Sequence, residues 1–224
     1  MKQNNHIVFS LVITNYNRSR FIDRAIRSCQ NQLIFRTNYE IIVVDDCSTD
    51  NSLDIIHEFD DDIRLFVNDR NRGVAYASNV ALRNARGKYM MRVDADDFLN
   101  QYACAYMLAI LEENDDIAFV YCDHFRVDVH GVKISKVRLD NEKALYEHGA
   151  GIFFRTNVLR DIGGYDDSLK NCEDYDLLVR LKKNGYRGYY LPVPLYRYYI
   201  HGDNITLTDE RTLFRKIVEE KHGI

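Results

Sequence analysis

The chain lacks an excess of positive charge, a long apolar run and any paired cysteine motif, and each absence removes a class of function. Lys and Arg number 30 against 34 Asp and Glu, a formal charge of −4, so the composition carries no basic footprint for nucleic acid. No apolar stretch approaches the ~20 residues that a membrane-spanning helix needs. The opening MKQNNHIVFSLVIT passes straight into a strand-like run and lacks a signal-peptide pattern. The five cysteines, Cys29, Cys47, Cys104, Cys122 and Cys172, are odd in number and contain no C-x-x-C, which argues against a disulfide framework and against a structural zinc site. A reducing compartment, the cytoplasm, is the natural expectation; a peripheral membrane contact through a surface patch stays open. Also missing are G-x-x-x-x-G-K-S/T, a G-x-G-x-x-G after the first strand and G-x-S-x-G, so P-loop, dinucleotide-binding and hydrolase-elbow readings lack support. There is no internal repeat, low-complexity segment or linker, and 224 residues suit one domain.

What is present is an alternation of short apolar runs and amphipathic segments. Strands are expected over Ile7–Thr14, Glu40–Val44, Ile63–Val67 and Lys88–Val93. Between them, helices are expected near 18–32, over Leu53–Phe59 with Ser48 or Asp50 as cap, and over Val74–Ala85. A long helix is expected over Phe98–Glu113. Four arginines at helical spacing, Arg18, Arg20, Arg24 and Arg27, read as a solvated face. This β-α-β-α-β-α-β-α order predicts an α/β fold with a mostly parallel, doubly wound sheet and helices on both faces. The second half is less regular: strands over Ala118–Val127, Lys133–Arg138, Ile152–Arg155, Arg187–Leu191 and Leu195–Ile200, and helices over Val158–Ile162, Glu173–Asn184 and Thr208–Lys221. The sixteen Tyr mainly fill the core and its rim.

Ligands of doubly wound sheets sit beyond the carboxyl ends of the strands. Three polar clusters stand there: Thr14–Asn17, Asp45-Asp46 and Asp94-Ala95-Asp96-Asp97. Carboxylates as crowded as the last group repel unless a cation sits among them, and oxygen ligands in a loop suit Mg²⁺ or Mn²⁺. The competing expectation is that Asp96 or Asp97 caps a helix beginning at Phe98. Asp46 is either a cap or a ligand for a base or a ribose. Glu173-Asp174 opens a helix, where acids also suit the helix dipole, so a structural and a catalytic role both stand. His201 follows an aromatic strand and is either structural or a late metal ligand.

Taken in order, the stretches SLVITNYNRSRFIDRAIRSCQNQ, YEIIVVDDCSTDNS, NRGVAYASNVALRNARGKYMMRVDADDF, GIFFRTNVLRDIGGYDDSL and CEDYDLLVRLKKNG resemble glycosyltransferase family 2, whose members have the GT-A fold. The resemblance runs from about Ser10 to about His201. It implies one catalytic domain over residues 1–224, with residues 1–115 as the nucleotide-sugar half and 116–224 as the acceptor half and C-terminal helix. By the same resemblance Thr14, Asn15 and Tyr16 line the nucleotide pocket, with Tyr16 stacking on the base. Asp46 hydrogen-bonds the base, usually uracil, and Arg72 lies near the nucleotide. Asp94 and Ala95 border the ribose and sugar. Asp96, with Asp94 and His201, holds Mn²⁺ or Mg²⁺ on the diphosphate, Asp174 is the general base and Glu173 supports it. The implied reaction is a single in-line displacement from a nucleotide-sugar, most often a UDP-sugar, to a hydroxyl of a carbohydrate or lipid-linked saccharide, with inversion, in cell-surface polysaccharide or glycoconjugate synthesis. A homo-oligomer stays open. One departure is Cys47, where relatives often carry Gly. A nucleotidyltransferase would need a basic, Gly-rich loop where Thr14–Asn17 stands; a pure binding module would have no use for Glu173-Asp174.

Overall fold

The computed structural model describes residues 6–35, 37–202 and 210–224. The first half winds as the periodicity predicts: β1 (Phe9–Asn15), α1 (Ile22–Gln30), β2 (Tyr39–Asp45), α2 (Ser52–His57), β3 (Arg64–Val67), α3 (Val74–Asn84) and β4 (Tyr89–Asp94). These four strands pair in parallel in the order β3-β2-β1-β4. Both faces of a parallel sheet are covered, so its strands are apolar throughout rather than alternating. In β1, Phe9, Leu11 and Ile13 pack toward α1 and the helix over 103–113, while Val12 packs toward α3 on the other face. The chain winds outward from β1 through β3 and returns to place β4 on the other side of β1, which makes the β1/β4 seam the switch point where a crevice opens. The register sets Asn15 opposite Asp45 and Thr14 opposite Asp94, so the polar strand ends lie side by side.

Beyond β4 the chain departs from expectation. No helix starts at Phe98. Phe98–Leu99 is a short strand, β5, and the helix α4 begins only at Ala103 and runs to Glu113. Phe98 lies beneath the Arg24 guanidinium, 4.4 Å from ring centroid to Cζ, and the Leu99 N–H donates to Ser28 Oγ at 3.1 Å. Asp96 and Asp97 are therefore not helix caps.

The remaining elements are β6 (Ile117–Val127), β7 (Lys133–Val137), α5 (Glu142–Tyr146), β8 (Phe153–Arg155), α6 (Thr156–Asp161), α7 (Glu173–Lys183), β9 (Arg187–Tyr199) and α8 (Glu210–His222). They extend the sheet as β4-β8-β6-β9-β5 with mixed direction, and β7 pairs with β6. Only Ala95–Asp97 separates β4 from β5, yet β5 ends the path beside β9. So short a link forces the sheet to curl around the loop that carries the acids. The two strands expected across Pro192 and Pro194 are one, β9; the register slips so that Cys122 pairs with Leu191 and Asp123 with Pro194. A bulge accommodates the missing proline N–H there. The expected helix start at Thr208 lies outside the described residues, as do Asp203 and Asn204. Among the described residues, no helix is long and apolar enough to cross a membrane.

Candidate active site

A cavity of about 880 Å³ opens over the switch point and is lined by Thr14, Asn15, Tyr16, Asp46, Arg72, Asp94, Ala95, Asp96, Glu173 and Asp174 among others. All the residues expected in the site reach its wall except His201, which lies behind it against Asp96.

The end of the cavity formed by β1 and β2 is built on two left-handed turns. Asn17 (φ 52°) and Cys47 (φ 64°) follow β1 and β2 with positive φ, a conformation that ordinarily favours Gly or Asn. That is the physical reason a glycine suits position 47, and Cys47 tolerates it without touching the cavity. Ser48 Oγ receives the Asn17 N–H at 2.9 Å, and Asp45 receives Ser48 Oγ and Asn15 Nδ2, both at 2.7 Å. Asp50, not Ser48, receives the first N–H of α2, that of Ser52, at 2.9 Å. Asp46 is neither a helix cap nor free. Its carboxylate receives Asn68 Nδ2 at 2.7 Å and the backbone N–H groups of Arg72 and Gly73 at 2.9 and 2.6 Å, which fastens the 68–73 turn to the cavity. On that turn the Arg72 guanidinium lies 3.5 Å over the Tyr76 ring. Tyr16 is 41% exposed, a ring face open to a ligand.

In the middle stands Arg92, which sequence reasoning missed. Its side chain is 4% exposed and meets three carboxylates: Nε to Asp94 Oδ1 at 3.0 Å, Nη1 to Glu173 Oε1 at 3.1 Å and Nη2 to Asp174 Oδ2 at 2.6 Å. The available signal was a cation inside the otherwise apolar YMMRVD run, a placement that buried strands tolerate only with paired acids. Burial pushes the Asp174 carboxyl well above the usual carboxylate range, with Glu173 and Asp94 adding to it and Arg92 opposing. The other Asp174 oxygen, Oδ1, is buried without a hydrogen-bond partner. Gly149 passes directly over this carboxylate: a Cβ there would lie 1.8 Å from Asp174 Oδ2, so only glycine permits the approach. Asp94 is also raised, by burial first, with Asp96 and Glu173 adding to it and Arg92 opposing.

The acids divide by role. Asp97 is 1% exposed and receives the Tyr199 N–H at 2.8 Å; burial and the neighbouring Asp96 and Asp94 push it well above the carboxylate range. It ties β5 to β9 and does not face the cavity. Asp96 Oδ2 lies 2.9 Å from His201 Nε2 and 3.2 Å from Arg18 Nε. His201 is stacked on Phe21 and Tyr199 at 5.4 and 5.0 Å, which fixes its ring plane. Asp94 turns instead to Arg92, and among the described residues no three His, Cys, Asp or Glu side chains converge as a metal cluster. Asp96 and His201 together still suit a divalent cation as two of its ligands, one oxygen and one nitrogen, with the remaining positions left to diphosphate and water. Only half of the arginine row is a solvated face. Arg18 reaches Asp96, and Arg24 donates to the Asp96 carbonyl at 3.0 Å; Arg20 and Arg27 are exposed.

Residues 10–164 match the model of the family described as glycosyl transferase family 2. The chain belongs to that family. Chondroitin synthase of Escherichia coli is 30% identical over 207 residues, covering 88% of this chain and 30% of that protein. Poly(ribitol-phosphate) beta-N-acetylglucosaminyltransferase TarS of Staphylococcus aureus is 29% identical over 191 residues, covering 80% and 33%. The chain thus spans about a third of the length of these curated relatives. The fold is GT-A: a crystal structure of TarS 1–349 in complex with UDP-GlcNAc superposes with a TM-score of 0.79 at 23% identity, covering 96% of this chain and 66% of that one. A mannosyltransferase from Pyrobaculum calidifontis in complex with GDP-Man and Mn²⁺ superposes with a TM-score of 0.71 at 21% identity, over 90% of this chain and 59% of that one. Family membership removes the nucleotidyltransferase alternative.

Proposed function

We propose that this domain is an inverting transferase that moves a sugar from a UDP-sugar to an acceptor hydroxyl. The observation that carries the reading is the single cavity that gathers the ends of β1, β2 and β4 and the first turn of α7. Residues 1–115 supply the donor half and residues 116–224 the acceptor half. Tyr16 offers its exposed face to the base, and Thr14 and Asn15 shape the floor beneath it. Asp46 keeps one lone pair, on Oδ1, beyond the three bonds that hold the 68–73 turn, enough to accept a base N–H. Arg72 closes over the nucleotide from that turn, and Asp94 and Ala95 border the ribose and sugar.

Mn²⁺ or Mg²⁺ held by Asp96 and His201, with Asp94 near, would act as a Lewis acid on the departing diphosphate. Arg18, already on Asp96, adds a second positive charge at that end. Asp174 takes the proton of the acceptor hydroxyl as that oxygen attacks the anomeric carbon. Asp174 lines the cavity with 17% of its side chain exposed, and burial raises its pKa, which makes it the stronger proton acceptor. Arg92 fixes Asp174 Oδ2 and Glu173 beside it. One displacement inverts the anomeric configuration. The acceptor is a carbohydrate or lipid-linked saccharide, handled at the cytoplasmic side in surface-polysaccharide or glycoconjugate synthesis.

Thermal shift against UDP, GDP, ADP and CDP with Mn²⁺ tests the donor assignment. UDP is expected to raise Tm most, with about 2.7 kcal/mol of stabilisation at a hundredfold excess over Kd. Equal shifts for all four would overturn it.

A further inference from the structure

The wall of the cavity beyond Asp174 has a composition that the donor chemistry does not use. His124 and Arg126 are two residues apart on β6 and so share a face, opposite Tyr196 and Tyr198 on β9. His148, from the loop that carries Gly149, stacks on His124 with ring centroids 4.1 Å apart and 23° between planes, and meets Tyr196 edge-on at 5.3 Å. Arg126, Lys170 and Arg211 line the cavity around this stack.

Each acid on the same wall has a cationic partner, with Arg92 serving three carboxylates at once. Glu147 is held by Arg211 Nη2 at 2.6 Å and by Arg215. Glu173 and Asp174 are held by Arg92. Among the described residues Arg126 and Lys170 have no ion pair, and both are exposed toward the opening. The imidazoles bring no negative charge. Burial, then Arg126, pushes His124 down to about 4; burial, then His124, Arg92, Arg211 and Arg126, pushes His148 well below its usual value. Two uncharged, stacked imidazoles therefore back this wall, with the unpaired cations Arg126 and Lys170 beside them. Two exposed cations without ion pairs attract ligands of the opposite charge, and exposed guanidinium suits phosphate or carboxylate oxygens.

We propose that this wall binds an anionic group, a phosphate ester or a carboxylate, carried by the acceptor next to the hydroxyl that reacts. The proposal rests on the reading of Asp174 as the acceptor-side base. It sets the class of acceptor: a charged glycan or polyol phosphate rather than a neutral sugar.

Calorimetric titration at saturating UDP and Mn²⁺ tests it, with glycerol 3-phosphate and glucuronate as probes and glycerol and glucose as their neutral counterparts. At least one anionic probe is expected to bind saturably alongside UDP, with both neutral ones far weaker. Arg126→Gln and Lys170→Gln, at exposed positions, are each expected to weaken the anionic probe about tenfold while leaving UDP affinity unchanged. The responding probe identifies phosphate or carboxylate. Equal binding of charged and neutral probes, indifference to both substitutions, or displacement of the probe by UDP would overturn the proposal. Absence of UDP binding by the wild type would instead overturn the donor reading, and the two failures are read from separate titrations.

Discussion

Arg92 occupies the centre of β4 with Tyr89, Met90, Met91 and Val93 around it, all buried, and carries three carboxylates from two parts of the chain. A buried ion cluster is costly to break because removing one partner strands the others. Arg92→Met is expected to lose about 3–5 kcal/mol in urea denaturation; a loss below about 1 kcal/mol would mean that the acids find other partners. His124 gives a second residue-scale expectation. An unfolded imidazole titrates near 6.5, whereas the folded one titrates at about 4, so between these values the unfolded chain binds more protons. Stability from this site is whole above about pH 6.5 and drains away as pH falls toward 4, by roughly 3 kcal/mol. His124→Phe should flatten that part of the stability–pH curve. An unchanged slope would place the loss elsewhere.

At the scale of elements, the strands and helices of the first half were legible because buried parallel strands and amphipathic helices have distinct periods. Four features were not. Phe98-Leu99 sits in an apolar stretch that leads into α4, and its strand character comes from pairing with Arg197 and Tyr196, residues about a hundred positions away. The five-residue α5 rests on one Asn141 cap, whose Oδ1 accepts the Ala144 N–H at 3.0 Å, too little pattern to stand out. The continuity of β9 depends on a bulge opposite Asp123 that only the partner strand reveals. The packing of α8 was likewise hidden. Its Val218 and Phe214 pack on Leu169, Tyr175 and Val179, and Lys221 and His222 reach the fully buried Asp176 at 2.7 and 2.8 Å. Burial works against that carboxylate, but hydrogen bonds from Lys221, His222 and Arg180 outweigh it and hold its pKa below the usual range. The stability it contributes is therefore full above about pH 4, the unfolded value, and is lost as pH falls below that through the folded value. The chain contains no Trp, so Phe214→Trp gives a clean reporter. Its emission is expected to shift toward the solvent-exposed maximum below about pH 4, and Asp176→Asn should abolish that dependence. A shift that persists in the Asn variant would rule out this carboxylate as its origin.

For the whole molecule, the candidate site was legible as residue types at strand ends, because a doubly wound sheet brings those ends together whatever the side chains are. What each acid does was not legible. Asp94, Asp96 and Asp97 are neighbours in sequence, yet one faces Arg92, one faces His201 and Arg18, and one ties strand to strand. The curl of the sheet between β4 and β5 separates them, and no local pattern encodes it.

The proposed division of labour across the cavity, donor at one end and base at the other, is tested most directly by Asp174→Asn. This substitution keeps side-chain shape and removes charge and basicity. UDP affinity should be measured by calorimetry with Mn²⁺, and turnover as UDP release from a UDP-sugar with the acceptor that serves the wild type best. Near-normal UDP affinity with kcat reduced by about 10²–10⁴-fold is expected. Turnover within a few-fold of wild type, at unchanged UDP affinity, would contradict Asp174 as the base and pass the role to Glu173.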